Sequence, residues 1–324
     1  MTIARGLGAA ALALSGALVI ACGGWVDLQP NANSGGASGA GSSGDPAAAS
    51  GGDPGTGGSG VSGIGGGGDS YAGPFKILIL TTALEYRHDS IIDCLQMLAD
   101  LGQTPDSQMP AGTKPGSQFT TLIENDDLAD FTTSGLKDYG MLFWCTPQGA
   151  VFSDNPRVQN KAAAMSALQA YVEGGGAWGG VHSATDFEKT GGFPWYTNTL
   201  VGGYLPGSNF DPDGTPGTVQ VEADYANHPI MRGVPATWSV RDEWFHMNRD
   251  IGAQPGFQIL ARLATCGTGC SADNRPAVWI KEFGTSAGRM FYTIRGHNPS
   301  VYSEASFRLL VLNGILWTTH RLEK

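Results

Sequence analysis

The segment Phe75-Lys76-Ile77-Leu78-Ile79-Leu80 is apolar at all but one position and directly follows the pair Gly73-Pro74. A short apolar run without polar alternation is typical of a strand that is buried on both faces of a parallel sheet. We therefore expect this segment to be the first strand of a domain that begins near residue 74.

Helical and strand patterns alternate through the next hundred residues. Apolar residues recur at helical spacing from Ile91 to Ala99, where Asp89 or Ser90 is the expected N-cap. A second helix is expected from about Pro156 to the glycine run at 174–176. Further strands are expected at residues 119–123, 139–145 and 177–181. Strands that alternate with helices predict an α/β domain with an open, mainly parallel sheet covered on both faces.

The rest of the chain has shorter strand-like runs and one more helix. The runs lie at residues 218–222, 257–263, 277–283 and 289–295, and the helix begins near Ser303. Ligands of such sheets bind beyond the carboxyl ends of the strands. This rule selects three loops of the first half as ligand-binding, namely residues 81–90, 145–153 and 182–193.

The amino-terminal residues have the pattern of an exported, lipid-anchored protein. Arg5 precedes an apolar run, Leu7 to Ala21, that is too short for a stable membrane span. The sequence Val19-Ile20-Ala21-Cys22 resembles a bacterial lipobox, which implies lipidation of Cys22 and anchoring in the cell envelope. Residues 23–73 contain 19 of the 49 glycines and no Lys or Arg, so we expect a disordered tether.

The charge and the remaining cysteines restrict the partners of the domain. Residues 74–324 carry 25 acidic and 18 basic side chains, which argues against nucleic acid as a partner. Cys266 and Cys270, separated by Gly-Thr-Gly, favour a local disulfide over half of a zinc site. Cys94 and Cys145 lie in apolar helix and strand patterns and are expected to be buried free thiols.

Three of the six histidines, His88, His182 and His297, each follow a strand or its glycine-rich end. The residues around His182, Gly179-Gly-Val-His-Ser183, have the form of a strand-to-helix elbow that projects one side chain. A neutral imidazole there can exchange a proton or bind a metal, with Ser183 as the neighbouring hydroxyl. Arg87, beside His88, either contacts a ligand or faces solvent.

Two adjacent carboxylates form another candidate. Asp242 and Glu243 would face opposite sides of a strand, so at most one of them points into a given pocket. The alternative is a solvated charge pair in a loop. The strand-like run before residue 297 also delivers Arg295 to the same end as His297.

Taken together, these motifs resemble the ThuA-like (trehalose utilisation) family of the class I glutamine amidotransferase-like superfamily. The resemblance implies a three-layer α/β/α sandwich and a connection to sugar metabolism. In amidotransferase relatives the elbow holds a cysteine nucleophile, whereas this chain has His182, so glutaminase activity is not expected. The matching segments are Tyr86-Arg-His-Asp-Ser-Ile91, Gly175-Gly-Ala-Trp-Gly-Gly-Val-His-Ser-Ala184, His228-Pro-Ile-Met-Arg-Gly233, Asp242-Glu-Trp-Phe245, Gly288-Arg-Met-Phe-Tyr-Thr-Ile-Arg-Gly-His297 and Asn313-Gly-Ile-Leu-Trp317.

Three functional hypotheses follow. The first is an enzyme that acts on a sugar or an oxidised sugar derivative, and a variant of it holds a zinc-like ion on two or three of His88, His182 and His297 together with a carboxylate. The competing hypothesis is a non-catalytic sugar-binding or scaffold module. The expected catalytic residues are His182, His88, Asp242, Glu243 and His297. The expected substrate contacts are Arg87, Ser183, Asp186, Trp244 and Arg295, and Trp178, Trp195 and Tyr196 are further aromatic candidates.

Overall fold

The computed structural model describes residues 73–265, 275–284 and 287–323. The expected signal peptide, the lipidation site Cys22, most of the tether, and the pair Cys266 and Cys270 lie outside these residues. The strands are β1 (Phe75–Leu80), β2 (Phe119–Ile123), β3 (Met141–Cys145), β4 (Ala177–Val181), β5 (Phe210–Val221), β6 (Thr237–Phe245), β7 (Phe257–Thr265), β8 (Pro276–Phe283) and β9 (Gly288–Thr293). The helices are α1 (Ile91–Gly102), α2 (Lys161–Glu173) and α3 (Ala305–Thr318).

The described strands form one mixed sheet in the order β2-β1-β3-β4-β9-β8-β7-β5-β6. Strands β2, β1, β3, β4 and β9 are parallel to one another, whereas every pairing from β9 through β6 is antiparallel. The protein is therefore α/β, but the expected mainly parallel sheet describes only half of it. The physical reason is that β5 with β6, β7 with β8, and β8 with β9 are consecutive strands that pair directly, which makes them antiparallel.

Helices cover both faces of the parallel half. Apolar side chains of α1 and α3 pack on one face with Ile77 and Ile79 of β1, whereas α2 packs on the other face with Leu78 and Leu80. Alternate residues of β1 thus enter different cores, which explains why the strand has no polar alternation. Among the described residues, no helix has both the length and the apolar character needed to cross a membrane.

The start of α1 is fixed by a contact with a distant loop. Ser90 occupies the N-cap position but makes no side-chain capping hydrogen bond. Its hydroxyl instead donates to the carbonyl of Gly296, at 2.9 Å, in the loop that follows β9. The loops that precede α1 and follow β9, which carry His88 and His297, are thereby joined.

A disulfide corrects the expectation for Cys94 and Cys145. These cysteines are bonded to each other, with their Cα atoms 6.0 Å apart, and both are fully buried. Because α1 packs directly over β3, residues that are 51 positions apart in sequence meet at bonding distance. Disulfides are typical of proteins that fold in oxidising compartments.

The hairpin of β5 and β6 is irregular at the end near the histidines. Its register shifts between Asp211 and Thr215, and Phe210 pairs with Phe245 beyond the irregularity. Such bulges bend a strand and increase its twist. This bend accompanies the approach of the end of β6 to the carboxyl ends of β4 and β9, although β6 is the far edge strand of the sheet.

Candidate functional site

His182 lies directly after β4 in a conformation that is rare for a residue with a side chain. Its φ is +48°, in the left-handed region, and its side chain is fully buried. Because Val181 is in register with Thr293 of β9, the ring of His182 lies beside the chain that follows β9. Its Nδ1 donates a hydrogen bond to the carbonyl oxygen of Ile294, 3.2 Å away. In the neutral ring this leaves Nε2 with a free lone pair.

Three further side chains surround that Nε2 atom. It lies 3.1 Å from Nε2 of His88, 3.2 Å from Nδ1 of His297 and 3.3 Å from Oε2 of Glu243. His297 Nδ1 and Glu243 Oε2 are 3.5 Å from each other. The possible metal-ligand atoms of all four residues lie within 4.8 Å of one another. We call these four residues the histidine cluster.

Glu243 and Asp242 point to different sides of β6, as the strand alternation predicts. Glu243 faces the histidine cluster, whereas Asp242 accepts hydrogen bonds from the backbone N–H groups of Glu243 and Gly296. The Asp242 carboxylate is fully buried and lies 3.5 Å from the Arg295 guanidinium. Asp242 therefore supports the loop that carries His297 instead of lining a cavity.

Electrostatics favour a neutral imidazole at His88 and an ionised carboxylate at Glu243. Burial, together with His182 and His297, lowers the pKa of His88 to about 2. Burial alone would raise the pKa of the Glu243 carboxyl, but the adjacent rings of His182 and His297 outweigh it and hold that pKa at about 2. The Glu243 carboxylate in turn raises the pKa of His297. His88 and Glu243 are therefore in the forms in which imidazole and carboxyl groups bind metals, whereas His297 would release its proton when a metal binds.

The geometry of the histidine cluster fits a divalent cation. A proton can bridge only one pair of atoms, whereas one cation contacts all four ligand atoms at once. Tetrahedral zinc with bonds of about 2.0 Å separates its ligand atoms by about 3.3 Å. Four of the six separations in the histidine cluster are 3.1–3.5 Å. The Nδ1 atom of His88 is 3.4 Å from Ser183 Oγ, and donation to that oxygen leaves the His88 Nε2 lone pair facing the cluster.

A pocket of 380 Å³ opens onto the histidine cluster. Its far wall carries a polar network in which Lys189 Nζ lies 2.6 Å from Asp186 and 3.1 Å from Glu85. The side-chain amide of Gln148 donates to the same Asp186 carboxylate. Burial raises the pKa of Asp186. The lining residues are Glu85, Tyr86, His88, Gln148, Asp186, Lys189, Leu205, Gly207, Ser208, Phe210, Glu243, Phe245 and His297.

Several residues that the sequence nominated do not line this pocket. Arg295 is buried and forms a two-pronged ion pair with Glu304, at 2.9 and 3.0 Å. Arg87 is exposed, and its guanidinium donates to the carbonyl of Thr81. These two cations are therefore engaged with the protein itself, at positions outside the pocket lining.

The nominated aromatic residues are also outside the pocket. Trp178, Tyr196 and Trp244 are fully buried in the core, and the Trp244 indole donates to the carbonyl of Thr215. Trp195 donates to the Glu173 carboxylate. Aromatic side chains of this size pack the core more often than they face a ligand.

The pocket contains residues that sequence reasoning did not nominate. Gln148 and Lys189 lie within two of the loops selected by the strand-end rule, so the loops were identified without the individual side chains. Phe210 and Phe245 come from the hairpin of β5 and β6. Phe245 belongs to the matching segment Asp242–Phe245, but a single sequence does not indicate that either phenylalanine lines a pocket, because the bend of that hairpin is a tertiary feature.

Comparison with known families identifies the domain. The family described as ThuA, trehalose utilisation, matches residues 76–318, which is three-quarters of the chain. The chain belongs to the ThuA family. The resemblance drawn from the sequence motifs is thus confirmed. None of the curated proteins has a significant match to this sequence.

Solved structures share the ThuA-like fold. A ThuA-like protein of Bacteroides uniformis ATCC 8492 is 19% identical, with a TM-score of 0.56, over 76% of this chain and 92% of that protein. The cytoplasmic protein STM1381 of Salmonella typhimurium LT2 is 12% identical, with a TM-score of 0.50, over 75% of this chain and 99% of that protein. At these identities the similarity concerns the fold alone.

Proposed function

We propose that this ThuA-family protein is a metal-dependent enzyme of the bacterial cell envelope that acts on a neutral carbohydrate. The observation that carries the proposal is the convergence of three imidazoles and one carboxylate beneath a polar pocket. His88, His182, His297 and Glu243 would hold the metal. A zinc-like ion supplies Lewis-acid chemistry, which polarises a carbonyl or hydroxyl oxygen.

The far wall of the pocket is suited to sugar hydroxyl groups. Asp186 and Glu85 offer carboxylate oxygens, and Gln148 offers an amide that can both donate and accept. Burial of Asp186 raises its pKa, which favours exchange of a proton with a bound hydroxyl. We assign hydroxyl binding and proton transfer to Asp186, and orientation of its carboxylate to Lys189 and Gln148.

The charge of this wall favours a neutral sugar over a sugar acid or sugar phosphate. Lys189 is the one cationic side chain among the described residues that line the pocket apart from the histidines. Its ammonium group is already paired with two carboxylates, Glu85 and Asp186. A phosphate or carboxylate on the ligand would therefore meet net negative charge at this wall. The description of the family as trehalose utilisation also supports a neutral sugar.

The test combines elemental analysis with turnover. Protein purified without chelators is expected to contain about one equivalent of a divalent metal, and His182→Ala is expected to lose it. Turnover of a panel of neutral sugars and their oxidised derivatives is expected in the parent protein and not in His182→Ala. His320→Gln, which changes a histidine bonded to the Ala287 carbonyl away from the pocket, is the matched control.

Two outcomes contradict the enzyme proposal. Absence of a stoichiometric metal would remove the role assigned to the histidine cluster. Calorimetric binding of a sugar with no product formed would favour the non-catalytic binding module, which the absence of a cysteine at residue 182 also suits.

The envelope location rests on separate features. Lipidation of Cys22 is supported by the lipobox-like residues 19–22 and by the apolar run that leads into them. The buried Cys94–Cys145 disulfide supports a location outside the reducing cytoplasm. Cys22→Ser is expected to move the protein from the membrane fraction to the soluble fraction. Unchanged membrane association of that variant would contradict the anchor.

A further inference from the structure

A second cavity, of 660 Å³, lies at the other end of β9 from the histidine cluster. Arg289, the second residue of β9, and Gln258, near the start of β7, line it together with Trp317 at the end of α3. His297 follows the opposite end of β9. The two cavities share no lining residue.

The floor of this cavity is a fixed frame built on Arg289. Its guanidinium donates to the Trp317 carbonyl at 2.9 Å and to Glu323 at 3.1 Å, and pairs with Glu282 at 3.3 Å. The same guanidinium lies 4.6 Å from the centre of the Trp317 ring. Arg289 is thus engaged on several sides, and each of the two glutamates already has a cationic partner.

Four other lining side chains have unused hydrogen-bonding groups. They belong to Asp224, Tyr225, Asn227 and Gln258, and none of them forms a side-chain hydrogen bond with another residue of the described ranges. The set comprises two amides, one phenol and one carboxylate. Amides and phenols both donate and accept hydrogen bonds, as sugar hydroxyl groups do.

The charges of the lining side chains indicate whether the ligand is cationic, anionic or neutral. A cationic ligand would need several unpaired carboxylates, and Asp224 is the one acidic lining residue without an ion pair among the described residues. An anionic ligand would need an unpaired cation, yet Arg289 is engaged with Glu282 and Glu323. A neutral ligand rich in hydroxyl groups matches the unused groups best.

The cavity continues into a neighbouring one of 200 Å³. The two share Asp224, Tyr225 and Gln258, so three of the four residues with unused groups border both. The shared residues join the two cavities into one continuous groove. We propose that this groove is a second binding site, separate from the histidine cluster, for a neutral oligosaccharide.

Calorimetry on the full-length protein tests the proposal, in a polyoxyethylene detergent so that no sugar detergent competes. The probes are cellohexaose, maltohexaose and laminarihexaose, with spermidine and hexagalacturonate as charged controls. At least one neutral hexasaccharide is expected to bind to His182→Ala or, if that variant does not fold, to His88→Gln. The double variant Asn227→Ala/Gln258→Ala, made in the same background, is expected to bind at least about tenfold more weakly.

The matched control is Gln103→Ala/Asn198→Ala, which removes two exposed amides outside both cavities and should leave the affinity unchanged. Thermal unfolding checks that each double variant is folded. The proposal is overturned if no neutral hexasaccharide binds to the histidine variants, if the groove variant binds as tightly as its control, or if spermidine or hexagalacturonate binds in preference. Because the histidine variants lack the proposed metal site, this result does not depend on the proposed enzyme activity.

Discussion

Ser183 affects the histidine cluster without entering it. Its hydroxyl oxygen lies 3.4 Å from Nδ1 of His88, on the side of the ring that faces away from His182 Nε2. A neighbour of this kind sets which ring nitrogen carries the proton, and therefore which one presents its lone pair to a metal. The elbow thus contributes two residues, one that faces the cluster and one that orients a partner.

We expect Ser183→Ala to weaken divalent-metal binding by about tenfold. This is the lower end of the decrease in metal affinity that follows loss of a hydrogen-bond partner of a metal ligand. Competition against a metal indicator dye measures the change. Ser303→Ala, which alters an exposed serine outside the pocket, is expected to match the parent protein. Equal affinities for Ser183→Ala and Ser303→Ala would contradict the orienting role.

Glu124 follows β2, and its burial makes its charge sensitive to pH. Burial, reinforced by Asp130, raises the pKa of this carboxyl from 4.5 to about 7. The folded protein therefore binds more protons than the unfolded chain between these values, so this contribution to stability is present below pH 4.5 and is lost as the pH rises to 7.

Replacing Glu124 with Gln should consequently stabilise the protein at pH 8, by about 1–2 kcal/mol, with little effect at pH 4. Urea unfolding at the two pH values measures the difference. An equal change at both pH values would contradict titration of Glu124 as the cause. Asp138→Asn, at an exposed position that is not among the groups acting on the Glu124 pKa, is the control.

Side-chain positions were predictable from the sequence where a backbone rule applies. The strand-end rule selected the loops of His88 and His182, and strand alternation separated Glu243 from Asp242. Arg295 was not predictable in this way, because its direction depends on Glu304, nine residues further along the chain. The partner of a long cationic side chain is a tertiary property.

The disulfide is the strongest link between elements that the sequence did not predict. It ties α1 to β3 and encloses a loop of 51 residues. The chain-entropy relation for such a loop corresponds to about 4 kcal/mol of stabilisation at 25 °C. We expect Cys94→Ala/Cys145→Ala to lose roughly that amount in urea unfolding. A loss below about 1 kcal/mol would contradict this estimate.

The sheet was predictable in its parallel half and less so in the rest. The expected bounds of β1, β2 and β4 agree with the structure, because β1 is a continuous apolar run, β2 is rich in β-branched residues and β4 directly follows a run of glycines. Strand β6 was not predicted as an element, since its first five residues alternate between exposed and half-buried positions. Pairing with β5, rather than local composition, makes that segment a strand.

At the scale of the whole molecule, charge limits the macromolecules that the protein can bind. The net charge is −10 at pH 7. We expect no retardation of duplex DNA or RNA by the protein at about 0.15 M salt, because electrostatic attraction to phosphates supplies most non-specific affinity. Electrophoretic retardation that disappears at higher salt would contradict this expectation.

Strand β9 runs between the two cavities, with Arg289 near one end and His297 beyond the other. It is hydrogen-bonded to β4 on one side and β8 on the other, and all but one of its six residues are buried. Allosteric coupling requires an element with two alternative arrangements. A strand held in the middle of a sheet has only one arrangement. Ligands in the cavities at the two ends of β9 should therefore bind independently, each leaving the affinity for the other unchanged.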